Sequence, residues 1–130
     1  MRQPYDLLVA GFRALGVTGA QITALEHPLN ARMTFDPMNA MGQPWGRQNG
    51  PDGWPEEAEA WIAPQQLAAR ITWSMNMPGR MVRNLPDPRE LLQTSLGGTQ
   101  SEALAWAVPK AESEDEGVAL ILASSDFNRR

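Results

Sequence analysis

The sequence predicts an all-α protein, and three observations support that prediction. Apolar residues recur at helical spacing, as in the Tyr5, Leu8 and Phe12 stripe. Capping residues or first-turn prolines precede these runs, and glycine or proline follows them. No stretch alternates β-branched and polar residues as a strand does. We therefore expect a compact bundle of five to seven short helices with one long loop rich in glycine, proline and tryptophan.

The start and stop signals divide the chain into seven predicted helices. Five of them cover residues 4–15, 36–42, 64–77, 87–97 and 112–123. Another begins at residue 18 and is interrupted at 27–28, and the remaining one begins at 99 or 101 and ends at 108. Thr18 and Gln21 have the spacing of a capping box. Asp36 is predicted to be an N-cap, followed by a first-turn proline. The Pro78-Gly79 pair is expected to end the helix that begins at Pro64, whose apolar face includes Ile71 and Met75. Trp106 is expected to face inward from the helix that ends at 108.

Length and composition indicate one domain over residues 1–130, with a core of its own. The chain has no cysteine, which excludes disulfides, thiolate metal ligands and a cysteine nucleophile. The formal net charge is −4, and the eleven basic residues are scattered rather than clustered. Nucleic acid is therefore not an expected partner, because binding to it depends on a basic surface.

The sequence also lacks the signals of membrane insertion or export. No apolar run reaches the roughly 20 residues that a membrane-spanning helix needs. The N-terminal residues do not have the charged-then-apolar layout of a signal peptide. The default expectation for this chain is therefore the cytoplasm.

The segment from Gly42 to Trp61, here called the tryptophan loop, contains three of the five tryptophans: Trp45, Trp54 and Trp61. Its glycines and prolines disfavour regular structure. Because exposed tryptophan is costly, we expect the loop to pack onto the helices. The favoured interpretation is that the tryptophans hold the loop in place. The alternative is a stacking platform for a sugar or a proline-rich peptide.

Arg70 is the other candidate for ligand binding, since it lies within an apolar stretch of a predicted helix. The structural interpretation is an ion pair with Asp52 or Glu59, or stacking on a tryptophan. The functional interpretation is an anion site for a carboxylate or phosphate. The candidate ligand-binding residues are therefore Trp45, Trp54, Trp61 and Arg70.

Catalytic chemistry has weaker support in the sequence. His27 is the only imidazole, so a histidine-based triad or metal cluster lacks partners. Asp52 or Glu59 could serve as an acid or base, but no second catalytic group can be named. No phosphate-binding glycine loop or dinucleotide fingerprint is present. We expect no metal and no cofactor, and the sequence favours a non-catalytic protein over an enzyme.

Several motifs resemble those of a known family. The most specific are the Gly-Gln-Pro and Gly-Trp-Pro elements and the Ser-x-x-Phe-x-Arg-Arg ending at residues 42–44, 53–55 and 124–130. Together they resemble the C-terminal part of the bacterial domain-of-unknown-function family 1800 (DUF1800). The resemblance covers nearly the whole chain and implies the last portion of a longer architecture. It supplies no catalytic residues, and it implies that some members are exported.

Three hypotheses about function follow. The first is a non-catalytic helical domain, structural or protein-binding, with an apolar face left uncovered. Its partner would be an upstream segment of the same protein or a second copy of the chain. The second is a small-ligand binding module that uses the tryptophan loop and Arg70. The third, an enzyme with Asp52 or Glu59 as acid or base, ranks last.

Overall fold

The computed structural model describes residues 1–47 and 50–129, and every regular element within these ranges is a helix. The all-α prediction is confirmed. The α-helices are α1 (Pro4–Ala14), α2 (Gly19–Thr23), α3 (Leu29–Met33), α4 (Phe35–Ala40), α5 (Pro64–Met81), α6 (Pro88–Leu96), α7 (Glu102–Ala107), α8 (Glu114–Ala123) and α9 (Ser125–Asn128). Short 3₁₀ helices cover Ala58–Trp61 and Val108–Lys110. No helix in the described part of the chain is long and apolar enough to cross a membrane.

Most of the predicted helix ends are found where the sequence places them. The Thr18 hydroxyl accepts from the Gln21 amide, and the Gln21 side chain accepts from the Thr18 amide, which completes the capping box. Asp87 caps α6, and Gly97 ends it with a left-handed φ of 56°. Ser101, rather than Thr99, caps α7. The helix predicted from residue 18 is divided into α2 and α3, with the break near Pro28 that the sequence predicts. The α9 helix lies beyond the predicted end at residue 123 and was not predicted.

Two predicted boundaries are wrong. The α4 helix begins at Phe35, so Asp36 lies in the first turn and is not its N-cap. The α5 helix continues through Pro78 to Met81. Pro78 cannot donate a backbone hydrogen bond. However, both it and Met77 are buried, and the Pro78 carbonyl accepts from the Val82 amide. Burial of this turn offsets the lost bond.

The core forms where α5 lies along α8, with α1, α4 and α6 packed around them. The Trp73 ring meets Phe12 edge to face at 5.6 Å, and its indole N–H donates to the Met33 carbonyl. Gly11 allows α1 to approach the ring, because a Cβ there would lie 2.7 Å from Trp73 Cη2. The largest fully buried side chains include Leu7, Met41, Met77, Leu91, Ile121 and Leu122.

Four apolar side chains that the periodicity places inward are exposed instead. They are Tyr5, Ile71, Met75 and Trp106. Most of the helices are short, so one helix covers only part of its neighbour's apolar stripe. Ile71 and Met75 line one open surface of the molecule and Tyr5 lines another.

Candidate functional site

Arg70 lies in the middle of α5 and is only 3% exposed. Its Nη1 donates to Asn128 Oδ1 at 3.0 Å, and its Nη2 donates to the Arg2 carbonyl at 2.7 Å. The predicted ion pair with Asp52 or Glu59 is wrong, because the guanidinium donates its hydrogen bonds to these two neutral oxygens instead. No local pattern around Arg70 indicates these partners, since they lie 58 and 68 positions away along the chain.

Burial lowers the pKa of Arg70 to about 10, so the guanidinium is still charged at neutral pH. Its Nε atom is buried and has no hydrogen-bond partner among the described residues. A buried cation is tolerated when its hydrogen bonds are made. The bonds to Asn128 and Arg2 therefore hold the guanidinium in place, and its burial separates it from the solvent.

Both polar atoms of the Asn128 side chain make hydrogen bonds around Arg70 and the end of α8. While its Oδ1 accepts from Arg70, its Nδ2 donates to the carbonyls of Leu122 and Ser124 at 3.0 and 2.8 Å. The Asn128 carbonyl accepts from the Arg2 amide at 2.6 Å. The two ends of the described chain are thus joined through α5.

Asp126, also in the ending motif, joins α9 to α7. It accepts from the Ser101 amide at 3.0 Å and from the Ser101 hydroxyl at 2.8 Å, and it pairs with Arg129. The bonds from Ser101 are the main reason that the pKa of Asp126 lies below its ordinary value of 3.8; Arg129 lowers it further, and burial opposes the shift. Arg130, the last residue of the motif, lies outside the described residues.

The second feature is an open aromatic cleft of about 380 Å³, beside the N-terminal end of α1. The ring centroid of Trp45 lies 6.1 Å from that of Tyr5 and 6.1 Å from that of Phe35. The residues that line the cleft are Gln3, Tyr5, Met38, Gln43, Pro44, Trp45, Gly46 and Trp54. Gln48 and Asn49 of the tryptophan loop lie outside the described residues.

The three candidate tryptophans have different environments. Trp45 is 64% exposed, whereas Trp61 is 2% exposed and donates its indole N–H to the Pro55 carbonyl. Trp54 is half-buried and packs against Trp61 at 6.2 Å. Trp45 and Trp54 line the cleft, while neither Trp61 nor Arg70 is among its lining residues.

The third feature is an apolar groove of about 740 Å³ between α5, α7 and α8. Ile71 and Met75 form its α5 side and are both exposed. Its other apolar lining residues are Ala103, Leu104, Ala107, Ala119, Leu120 and Ala123. Asp115 and Glu116, in the first turn of α8, lie at its edge and are exposed. The sequence led us to expect an uncovered apolar face but not its position, because Ile71 and Met75 have the helical spacing of core residues.

The residues considered for catalysis all lie on the surface. His27, Asp52 and Glu59 are all exposed. Among the described residues, no group of three or more histidine or acidic side chains could hold a metal ion.

The fold and these surfaces define an all-α domain with one open apolar groove and one aromatic cleft. The chain belongs to the family described as "Protein of unknown function (DUF1800)", whose model matches residues 1–129. The resemblance of the Gly-Gln-Pro, Gly-Trp-Pro and C-terminal motifs is thus confirmed. No curated protein and no solved structure matches the chain. The family's description assigns no function to its members.

Proposed function

We propose that this chain is a non-catalytic, helical protein-interaction domain whose apolar groove receives an amphipathic helix with basic residues. The observation that carries the proposal is the open groove between α5, α7 and α8, about 740 Å³ in volume. Ile71 and Met75 expose apolar side chains along it. Contiguous exposed apolar surface of this kind is typical of interaction sites.

The shape and chemistry of the groove suit a helix. An amphipathic helix binds by placing its apolar face in a groove between other helices. Alanines line much of the groove, so the backbone of a partner could approach closely. Met75 adds a flexible, polarisable side chain of the kind that adapts to different partners.

Charge favours a basic partner over a second copy of this chain. Asp115 and Glu116 lie at the groove, and Glu114 precedes them in the same helical turn. A second copy would bring a net charge of −4 toward these carboxylates. Lysine or arginine residues flanking an apolar helix face would instead be attracted to them. An upstream segment of the same protein with this chemistry would also fit.

The proposal can be tested by fluorescence anisotropy with labelled model helices. One peptide carries leucine and alanine on one face and lysine on the other; a second has glutamate in place of lysine. We expect the lysine peptide to bind saturably, with an affinity that falls as salt rises, and the glutamate peptide to bind far more weakly. Equal binding of both peptides, or binding of neither, would contradict the proposal.

A matched pair of variants locates the binding surface. Ile71 in the groove is 48% exposed, and Ile62, outside the groove, is 45% exposed. We expect Ile71→Lys to weaken binding of the lysine peptide by roughly tenfold or more, as at a central contact of an interface. Ile62→Lys should leave it nearly unchanged. Light scattering on the same samples reports any dimer, and a dimer that Ile71→Lys dissolves would identify a second copy as the occupant instead.

The small-ligand alternative depends on Trp45, Trp54, Trp61 and Arg70 acting together. Trp45 and Trp54 support it, because both line the aromatic cleft. Arg70 and Trp61 would contribute only indirectly, since their polar groups bond to other parts of the chain. This leaves the cleft without an anion-binding group and favours an uncharged ligand there.

A further inference from the structure

The aromatic cleft exposes more aromatic surface than a packed loop requires. Trp45 contacts both Tyr5 and Phe35, and about half or more of each of the three side chains is exposed. Large aromatic side chains stabilise a fold mainly when they are buried. The ring of Trp45 therefore contributes little to folding and is available for contact with a ligand.

The floor of the cleft is held by a chain of hydrogen bonds. Buried Gln43 accepts from the Tyr5 amide at 2.7 Å and donates to Gln3 Oε1 at 3.1 Å. Gln3 in turn donates to the Pro55 carbonyl, which also accepts from the Trp61 indole. These bonds fix the start of α1, the tryptophan loop and the 3₁₀ helix at Ala58–Trp61 relative to one another. A site with a fixed floor loses less entropy when it binds a ligand.

The polar side-chain groups of the cleft that are free to bind a ligand are mainly donors; the Tyr5 hydroxyl can also accept. The side-chain amides of Gln3 and Gln43 are engaged with each other and with the backbone. The indole N–H groups of Trp45 and Trp54 have no partner among the described residues, in contrast to those of Trp61 and Trp73. No charged side chain lines the cleft.

A ligand that fits this cleft is uncharged, has flat apolar surfaces and accepts hydrogen bonds without needing to donate them. Proline-rich peptide meets all three conditions: its backbone carbonyls are exposed in the polyproline II helix, and proline has no N–H. A sugar needs acceptors for its many hydroxyl protons, whereas the Gln3 and Gln43 side-chain oxygens already accept hydrogen bonds, which leaves the Tyr5 hydroxyl as the main side-chain acceptor. We propose that the aromatic cleft binds a proline-rich segment of a partner protein in the polyproline II conformation.

This proposal is independent of the proposed function, because the cleft and the apolar groove share no lining residue. The test titrates the whole chain into a fluorescein-labelled peptide of nine prolines and follows the anisotropy. A glycine-serine peptide of the same length is the control for non-specific binding. We expect saturable binding of the proline peptide alone. Absence of saturable binding at millimolar protein, or equal binding of both peptides, would overturn the proposal.

A matched tryptophan pair shows whether the cleft is the site. Trp45 is 64% exposed and Trp106, which stacks on Lys110 outside the cleft, is 65% exposed. We expect Trp45→Ala to weaken binding by roughly tenfold or more, and Trp106→Ala to change it less than about twofold. Equal effects of the two variants would overturn the proposal.

Folding and ligand class need their own checks. If Trp45→Ala melts well below Trp106→Ala, Trp45→Leu replaces it, since leucine keeps apolar bulk but lacks the ring and the N–H. Retained binding by Trp45→Leu would then contradict the proposal, and its loss would support it. A glucose hexasaccharide is titrated as a competitor; displacement of the proline peptide by the sugar at comparable concentration would overturn the assignment of ligand class.

Discussion

Arg70 Nη1 and Asn128 Oδ1 lie 3.0 Å apart in the interior, and this bond joins the middle of the longest helix to the last turn of the described chain. The same guanidinium holds the Arg2 carbonyl. The C-terminal motif, which carries much of the family resemblance, thus has a clear structural role: it closes the domain onto α5 and the N-terminus.

Replacing Arg70 with lysine tests this role. An ammonium cannot span two acceptors as the guanidinium fork does, so at least one buried oxygen loses its partner. Hydrogen bonds to charged groups are worth about 1.5–3 kcal/mol each. We expect Arg70→Lys to lower the free energy of unfolding by about 2–3 kcal/mol in urea denaturation. Arg80→Lys, on the exposed side of the same helix, is the control and should change it by about 0.5 kcal/mol or less.

Asp126 is expected to make stability sensitive to acid. Its pKa is lowered in the folded state, chiefly by the bonds from Ser101, so the unfolded chain takes up the proton more readily. The stabilisation is complete above the unfolded-state pKa of about 3.9 and is lost as the pH falls through the folded-state pKa. Between about pH 5 and pH 7, both above the unfolded-state pKa, the melting temperature of Asp126→Asn should therefore lie below that of the unaltered chain by a constant amount. Below about pH 4 the difference should shrink. A difference that is independent of pH down to about pH 2 would contradict this role.

The tryptophans of the loop should differ in their effect on stability. Judged from the sequence, Trp54→Ala would destabilise the domain severely, and His27→Ala would cost about 1 kcal/mol or less. In the structure, truncation of Trp61 should cost more stability than truncation of Trp54. Trp61 is buried and donates a hydrogen bond to the Pro55 carbonyl, whereas Trp54 is half-buried. We expect Trp61→Ala to cost about 3–5 kcal/mol and Trp54→Ala clearly less, measured by thermal melting. The reverse order would show that the loop is held through Trp54.

Gly11 is expected to be required for the approach of α1 to α5. Alanine there would gain up to about 1 kcal/mol in helix propensity. However, its Cβ would lie 2.7 Å from Trp73 Cη2 and 3.0 Å from Cζ3, and this ring is held by its bond to Met33. Overpacking of this kind costs about 1–3 kcal/mol. Gly11→Ala should therefore lower the melting temperature, while Gly19→Ala, with open space around it, should leave it equal or slightly higher.

The fold class was predictable because local signals and packing agree along most of the chain. Thr18, Asp87 and Gly97 act through neighbouring residues, so the sequence alone locates them. Pro78 was misjudged because its local cost is outweighed by burial, which depends on distant residues.

The candidate site was less predictable for the same reason. The partners of Arg70 lie far away in sequence, so no local pattern points to Asn128 or Arg2. An uncovered apolar face was expected, but its position was not, because periodicity identifies an apolar face and not whether another helix covers it. Ile71 and Met75 have the spacing of core residues, yet the short α7 helix leaves them open.

The most direct test of the interaction-domain proposal is to map the lysine-rich amphipathic peptide onto the isotope-labelled chain by amide NMR shifts. We predict that saturable shifts concentrate around Ile71, Met75 and Leu120 in the apolar groove, with amides near Ile62, outside the groove, unchanged. Shifts spread evenly over the surface, or confined to residues outside α5, α7 and α8, would contradict it.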